Sequence, residues 1–320
     1  MKKTKIKKAG LLGRQGFKEY FKLNWSLYLT VLPAIIYIFL FCYYPMSGLQ
    51  LAFKDWRIMK GIWGSPWATT DGQLDLFKHF KTLLLTVTFQ EKLINTLRIS
   101  FLKLVCGFPV PIILAILFNE MSSDKYKKAV QAISYLPHFI SWVIIAGIIN
   151  SMTQSGTELQ GFLKGIFGKE IYFFSNDRLF VLMLVISSIW KGCGWGTIIY
   201  FAAITGIDPQ LYEAADIDGA NRWKKIVYIT FPAIKNAISI NLIFSLSDIM
   251  SAGFDQIYNM INPAVYGKGD VLETYLFRIG ISGGKYDQAT AVGLFNSLIG
   301  FLLVIVANKL SKLVGADGIW

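Results

Sequence analysis

The residues from Leu23 to Phe53 form an unbroken stretch without a charged side chain, and this stretch restricts the fold more than any other feature. A helix that crosses a bilayer needs about 20 mostly apolar residues. Irregular backbone inside hydrocarbon would leave amide groups without hydrogen bonds, so a run this long is expected to be helical. The stretch exceeds the roughly 7–15 apolar residues of a secretory signal, and no A-x-A cleavage site follows it. We therefore expect a retained membrane helix.

Five further windows along the chain are apolar and long enough to cross a membrane. Lys191 lies well inside the fourth predicted helix and Asp248 inside the fifth, while Pro137 is expected to kink the third. The sequence predicts an all-α polytopic membrane protein with a transmembrane domain over 28–310 and six transmembrane helices, at about 28–49, 97–118, 129–151, 179–203, 233–254 and 289–309.

The distribution of Lys and Arg predicts the orientation of these helices. With the 1–27 tail placed in the cytoplasm, the cytoplasmic segments hold 16 Lys and Arg residues and the opposite segments hold 12. Cytoplasmic loops of membrane proteins carry the excess of basic residues. Both tails, 1–27 and 311–320, are therefore expected to be cytoplasmic. The net charge of +12 is then explained by topology, and no nucleic-acid partner is expected.

Residues that commonly bind metals are few and scattered. Cys42, Cys106 and Cys193 all fall in predicted helices, without Cys-x-x-Cys spacing, and are expected to act as small buried apolar residues. His79 and His138 stand alone in the sequence, with no paired ligand spacing nearby. We therefore expect no metal site.

Nucleotide-binding and catalytic patterns are also missing from the sequence. Gly283, Gly284 and Lys285 are followed by Tyr286, which does not fit the G-x-x-x-x-G-K-[ST] phosphate loop. The glycine-rich run from Gly192 to Gly196 lies in the middle of a predicted helix, where spacing of the small-x-x-x-small type favours close helix packing. No nucleophile and base stand out, so the chain is expected to be non-catalytic and to hold no cofactor itself.

The predicted cytoplasmic loop over 204–232 has the pattern of a helical hairpin. Asp208 is placed to cap a helix whose first residue is Pro209, a position at which proline loses no hydrogen bond. Gly219 is expected to end that helix in the left-handed conformation, and Asn221 to cap the next one. Two short helices at a membrane surface have the shape needed to dock into a groove of another protein.

The same loop resembles the EAA loop of permease subunits in bacterial binding-protein-dependent ABC importers. The shared pattern is Glu-Ala-Ala, a glycine four positions later, an isoleucine ten residues further on and a proline near the end; here these are Glu213, Ala214, Ala215, Gly219, Ile229 and Pro232. The family usually has Leu before the proline, where this chain has Phe231, which is a minor apolar departure.

Four other segments resemble the branch of carbohydrate permeases that handles complex oligo- and polysaccharides, namely Tyr43–Met46, Ala52–Asp55, Gly64–Trp67 and Tyr135–Trp142. The resemblance implies a type I ABC importer permease fold in the bacterial plasma membrane. It also implies a complex with a second permease subunit, two ATPase subunits that hold ATP and Mg, an extracellular sugar-binding lipoprotein and a carbohydrate substrate.

In this family the EAA loop is the coupling element that sits in a cleft of the ATPase. The resemblance carries that role over to Glu213, Ala214, Ala215 and Gly219. From their location in the hairpin, Asp216 and Arg222 are added as charged coupling candidates. The alternative is that Ala and Gly merely form a compact surface turn.

A second set of residues is a candidate substrate path inside the membrane. Ionisable groups there are costly and are expected to face protein or water. Asn241, Ser245 and Asp248 recur at i, i+4 and i+7, on one helix face. The path candidates are aromatic or polar, as in sugar sites: Trp190, Lys191, Tyr200, Asn241, Ser245, Asp248 and Asn296. Hydrogen bonding between helices is the alternative, including a structural Lys191–Asp248 tie.

Taken together, the patterns predict the permease subunit of an ATP-driven importer of an oligosaccharide or related carbohydrate. A secondary transporter or a membrane-embedded enzyme is the competing hypothesis. A secondary carrier usually contains two similar halves and an ion site, and the sequence contains a single EAA-like hairpin and no evident inverted repeat.

Overall fold

The computed structural model describes Phe21 and residues 24–313, so most of the predicted tails 1–27 and 311–320 lies outside the described residues. The chain divides into two compact units, residues 1–50 and 51–320. Within the described residues the only strands are β1 (Thr69–Thr70) and β2 (Gln73–Leu74), which pair antiparallel in one small ribbon. The fold is otherwise helical, in agreement with the predicted all-α class.

The first unit contains α1, Trp25–Ile38, which continues through a π-helical turn at Phe39–Tyr43 into a 3-10 helix, Tyr44–Phe53, whose last three residues belong to the second unit. Between Trp25 and Phe53 the chain is long and apolar enough to cross a membrane, and the most apolar part of this segment is not buried within the chain. Its apolar side chains therefore need lipid or another protein around them.

The second unit holds the remaining helices, numbered in chain order. These are α2 (Lys78–Leu85), α3 (Val87–Gly107), α4 (Pro109–Glu120), α5 (Asp124–Tyr135), α6 (Trp142–Met152), α7 (Glu158–Phe167), α8 (Asp177–Thr205), α9 (Pro209–Ile217), α10 (Arg222–Lys225), α11 (Lys235–Ser247), α12 (Phe254–Met260), α13 (Leu272–Phe277) and α14 (Tyr286–Leu313), with single turns of helix at Gly61–Gly64, Phe231–Ala233 and Tyr266–Gly269.

Four helical segments of the described chain are long and apolar enough to span a membrane, and two bent pairs raise the number to six if each pair is one span. The second of the four, Val87–Glu120, starts well before the predicted residue 97. At 1.5 Å per residue its 34 residues extend over roughly 50 Å, more than a bilayer core of about 30 Å. Residues such as Lys103 consequently lie near the middle of this helix.

The third predicted helix, 129–151, is not continuous. α5 and the 3-10 turn Leu136–Phe139 end where α6 begins, and the two halves are bent by 96°. Pro137 lies in this turn, which explains why the α-helix cannot simply continue. The Ser141 hydroxyl then accepts a hydrogen bond from the Ile144 amide and caps α6. The kink predicted from Pro137 is thus a complete break.

The fifth predicted helix, 233–254, is shorter than expected and is also bent. α11 ends at Ser247 and passes into a 3-10 turn at Asp248–Met250, so Asp248 lies at the end of the helix rather than inside it. On the other side, the helix with Pro232 ends at Ala233 and meets α11 at 60°.

The core of the second unit surrounds α8, whose buried side chains include Phe180, Leu184 and Tyr200. Glycines on this helix permit close contact with its neighbours. A methyl group on Gly194 would overlap the backbone of Ser134, and one on Gly196 would lie 3.0 Å from the Pro111 ring, whereas Gly192 faces open space. Among the described residues, the predicted close helix packing is found at Gly196 and not at Gly192.

This difference between two glycines on one helix can be tested by the same substitution. Gly194→Ala is expected to destabilise the protein by about 1–3 kcal/mol because the new methyl group cannot fit against the Ser134 backbone. Gly192→Ala is the matched control and should leave stability unchanged or raise it by up to about 1 kcal/mol, since alanine favours helix. Thermal unfolding of the purified protein in detergent measures both. Equal midpoints for the two variants would contradict the packing.

Candidate coupling hairpin and membrane cavity

The hairpin predicted from the sequence is present and is formed by α9 and α10. The Asp208 side chain accepts a hydrogen bond from the Gln210 amide, and Pro209 is the first residue of α9. Gly219 has φ +70°, the left-handed conformation expected at a helix end. Asn221 then caps α10 by accepting from the Lys224 amide at 2.9 Å. Local sequence therefore determines both ends of α9 and the start of α10.

Two side-chain contacts hold the arms of the hairpin together. The Lys225 ammonium lies 2.6 Å from the Asp216 carboxylate, and the hydroxyl groups of Tyr212 and Thr230 lie 2.9 Å apart. The Asp216–Lys225 pair is partly exposed, so its contribution to stability is modest. The structure thus gives Asp216 a bond within the hairpin itself, which the sequence did not predict.

The outer surface of the hairpin presents the remaining coupling candidates. Glu213, Ala214, Gly219 and Arg222 are exposed, and Ala215 is half-buried. The same surface carries large apolar side chains that are unusual in water, including Ile217 at 87% and Trp223 at 75% exposure. An exposed apolar patch rimmed by charges is typical of a protein-protein contact. The exposed surface of the hairpin is therefore suited to a contact with another protein.

A cavity of about 700 Å³ lies in the helical bundle of the second unit, between α3, α4, α8 and α11. It brings together four of the seven path candidates, namely Tyr200, Asn241, Ser245 and Asp248. The Asn241 amide donates to the Ala237 carbonyl, and the Ser245 hydroxyl to the Asn241 carbonyl, each one turn back along α11. These bonds anchor the side chains to their own helix rather than to a neighbouring one. A volume of this size is within the range of small-molecule sites.

The cavity also contains polar residues that the sequence reasoning missed, among them Ser100, Lys103, Ser188 and Ser251. The Lys103 ammonium donates to the Ala252 carbonyl at 2.7 Å and to the Gln256 side chain. The available signal was the unusual charge of Lys103 in an apolar helix, but the predicted start of that helix at 97 put this residue near its outer end.

Lys191 makes contacts that neither the predicted tie to Asp248 nor the predicted substrate path includes. Its ammonium donates to the carbonyls of Pro137 and His138, at 3.3 and 2.7 Å, and to that of Ile140, all at the break between α5 and α6. The ammonium therefore satisfies carbonyls that the break leaves without helical partners. No ion pair joins it to Asp248, although both residues are described.

The other two path candidates lie apart from the large cavity. Trp190 lines an apolar pocket of about 410 Å³ formed mainly with α6. Asn296 lines a pocket of about 270 Å³ that it shares with Asp248, and its Oδ1 is buried without a hydrogen-bond partner. The structure thus divides the predicted set among three pockets and the helix break.

His79 does not stand alone, as the sequence suggested. Its Nε2 lies 3.0 Å from the Lys54 carbonyl oxygen, 3.4 Å from Asp55 Oδ1 and 3.9 Å from Asp287 Oδ2. Burial opposes ionisation of Asp55, but hydrogen bonds from Lys78 and a backbone amide, with the Lys78 charge, keep the pKa of Asp55 below its ordinary value. The ligand atoms of Asp55, His79 and Asp287 all lie within 4.8 Å of one another, a grouping of metal-ligand residue types that sequence spacing does not predict.

Helices long enough to span a membrane, a cavity among them with polar residues in its lining and an exposed helical hairpin are together typical of a membrane transport component. Residues 107–316 match the family described as binding-protein-dependent transport system inner membrane component. The chain belongs to this family.

Relatives and solved structures agree with this assignment. The chain is 40% identical to the polygalacturonan/rhamnogalacturonan transport system permease protein YteP of Bacillus subtilis (strain 168), over 92% of this chain and 90% of the relative. It is 37% identical to protein LplB of the same organism, over 92% and 91%. A bacterial ABC transporter involved in the import of the acidic polysaccharide alginate aligns with TM-score 0.84 and 40% identity, covering 93% of this chain and 99% of that chain.

Two substitutions test whether the Lys191 ammonium is held by the carbonyls at the α5–α6 break or by the Asp248 carboxylate. Lys191→Met keeps a similar volume but leaves buried carbonyls unsatisfied, so we expect a loss of about 1–3 kcal/mol of stability. Asp248→Asn should leave stability nearly unchanged because Asp248 does not contact this ammonium. Thermal unfolding in detergent measures both, and equal losses would favour a Lys191–Asp248 pair instead.

Proposed function

We propose that the protein is the transmembrane permease subunit of an ATP-driven ABC importer that carries an oligosaccharide or related carbohydrate into the bacterial cell. The observation that carries this proposal is the exposed EAA hairpin joined at both ends to helices that line a cavity with several polar residues in its wall. The family supports the transport role. The relatives YteP and the alginate transporter, with their named polysaccharide substrates, support the carbohydrate class.

The proposal includes partners and a topology. The chain pairs with a second permease subunit, and two ATPase subunits on the cytoplasmic side bind and hydrolyse ATP with Mg. An extracellular solute-binding lipoprotein delivers the sugar, as supported by a solved alginate transporter in complex with its pentasaccharide-bound periplasmic protein, 39% identical over 94% of this chain. Six spans result if each bent pair crosses the membrane once, with both termini cytoplasmic in the bacterial plasma membrane.

The hairpin is proposed to contact an ATPase cleft through Glu213, Ala214, Ala215 and Gly219, with Arg222 at its edge. Small residues allow close approach of the ATPase, and Glu213 and Arg222 supply exposed charges. Asp216 contributes by holding the hairpin in shape through Lys225.

Two substitutions that reverse or introduce a charge on the hairpin test the ATPase contact. Glu213→Lys and Gly219→Asp are expected to lower co-purification of the ATPase subunits at least tenfold and to abolish ATP-driven sugar uptake, because each puts a mismatched charge into a close interface. Glu158→Lys is the matched control, since it reverses an exposed charge on α7, away from the hairpin. Full uptake by both hairpin variants would contradict the proposed importer.

The proposed path runs through the large cavity, where a few placed polar groups take up sugar hydroxyls. Asn241→Leu and Asp248→Asn are expected to lower uptake several-fold while the complex still assembles. Asn241→Leu removes a donor and an acceptor from the cavity wall, and Asp248→Asn removes its negative charge and one acceptor oxygen. Asn150→Leu, on the exposed surface of α6, is the control. Uptake by reconstituted vesicles is the measurement, and normal uptake in both cavity variants would leave these residues with a structural role only.

A further inference from the structure

A smaller cavity of about 280 Å³ lies directly beside the large one. Three residues, Lys103, Ser188 and Ser251, line both cavities and therefore form the wall between them. The remaining lining of the small cavity comes mainly from the segment that follows α11 and from Trp142 at the start of α6. None of the sequence-predicted path residues lines this small cavity.

Glu273 supplies an unused hydrogen-bonding atom to the small cavity. Its Oε1 accepts a hydrogen bond from the Ser251 hydroxyl at 2.9 Å. This contact explains why the side chain is held in place. Its Oε2, however, is buried and has no partner among the described residues. A buried carboxylate oxygen without a hydrogen bond is costly, so a donor from a ligand would relieve that cost.

The other charges around the small cavity indicate the kind of donor. Asp255 adds a second carboxylate to the lining. The one ammonium, that of Lys103, is already bonded to the Ala252 carbonyl and to the Gln256 side chain. An anionic ligand would meet two carboxylates and an occupied cation, and like charges repel. A neutral hydroxyl both donates and accepts, so it can bond Glu273 without this repulsion.

An aromatic ring in the lining and the volume of the small cavity further restrict the kind of ligand that can bind there. Trp142 contributes an indole surface on which the C–H face of a sugar ring can stack. Sites of roughly 300–1,000 Å³ hold drug-sized ligands, so a cavity of about 280 Å³ is suited to one ring rather than to an oligomer. The cavity of about 700 Å³ next to it has room for more than one ring.

We propose that the small cavity is a subsite for a single neutral sugar ring, bound by Glu273 and Trp142, next to the main cavity. The proposal rests on the proposed carbohydrate transport and deepens it, because it predicts that this subsite prefers a neutral ring to a uronate. The Ser251 hydroxyl positions the Glu273 carboxylate so that one oxygen remains free for a hydroxyl group.

Ligand-observed NMR on the purified complete importer, without ATP or binding protein, tests the subsite. The probes are the methyl glycosides of glucose, galactose and rhamnose, with methyl galacturonoside as the anionic comparison. Saturation transfer to at least one neutral probe is expected, with at least tenfold weaker binding of the uronate. Glu273→Gln replaces the free acceptor by an amide of the same size and should weaken neutral-probe binding about tenfold; Trp142→Ala should do the same.

Glu91→Gln, the same substitution at an exposed position of α3, is the matched control and should leave binding unchanged. Absence of probe binding in the unmodified importer would overturn the subsite, as would equal binding of the uronate. Binding that persists in both cavity variants would assign the sugar to the main cavity alone. If Glu273→Gln does not assemble, Glu273→Asp decides, since it keeps the charge but withdraws the carboxylate from the cavity, whereas Trp142→Ala also removes the ring contact with Lys191. If the unmodified complex shows no ATP-driven sugar uptake, the proposed importer is overturned. Failure of the subsite and failure of the proposed function therefore give different results.

Discussion

The arrangement of the helices depends on how the chain satisfies backbone carbonyls where a helix breaks. Water cannot do this in the interior of a bundle that hydrocarbon surrounds. At the break between α5 and α6 the Lys191 ammonium takes three carbonyls at once, and its ring contact with Trp142 at 5.6 Å adds a cation–π interaction. Beside it, His138 stacks on Trp195 at 4.5 Å. The 96° bend is thus held by specific polar and aromatic contacts from α8.

Hydropathy predicted where apolar helices exist but not where they end, and α3 shows the reason. A hydropathy window stops at charged residues such as Lys92, whereas the helix itself continues outward to Val87. The charge is tolerated because the Lys92 ammonium lies 3.4 Å from Asp270, a fully buried carboxylate that Arg278 also binds. These partners are more than 170 positions away in sequence. The residues near Lys92 in the sequence therefore cannot predict them.

The candidate sites also contain some features that local sequence predicts and others that depend on contacts between distant helices. The ends of the hairpin helices follow from local chemistry, namely the caps Asp208 and Asn221 and the left-handed Gly219, so the sequence alone predicts them. The polar stripe on α11 also follows from spacing along one helix. Lys103 and Ser188 could not be assigned to the cavity because their helices meet α11 only in the folded bundle. Spacing likewise could not distinguish Gly192 from Gly194, since that choice depends on how α8 is rotated against its neighbours.

The hairpin is connected along the chain to two of the helices that line the main cavity. α8 runs without interruption from Asp177 to Thr205 and ends three residues before Pro209, where the hairpin begins. At the other end, the helix of the second arm reaches α11 across the 60° bend. Both α8 and α11 line the main cavity. The hairpin is therefore joined to two walls of the cavity, directly to α8 at one end and to α11 across the 60° bend at the other, so any contact that fixes the hairpin also constrains the ends of both helices.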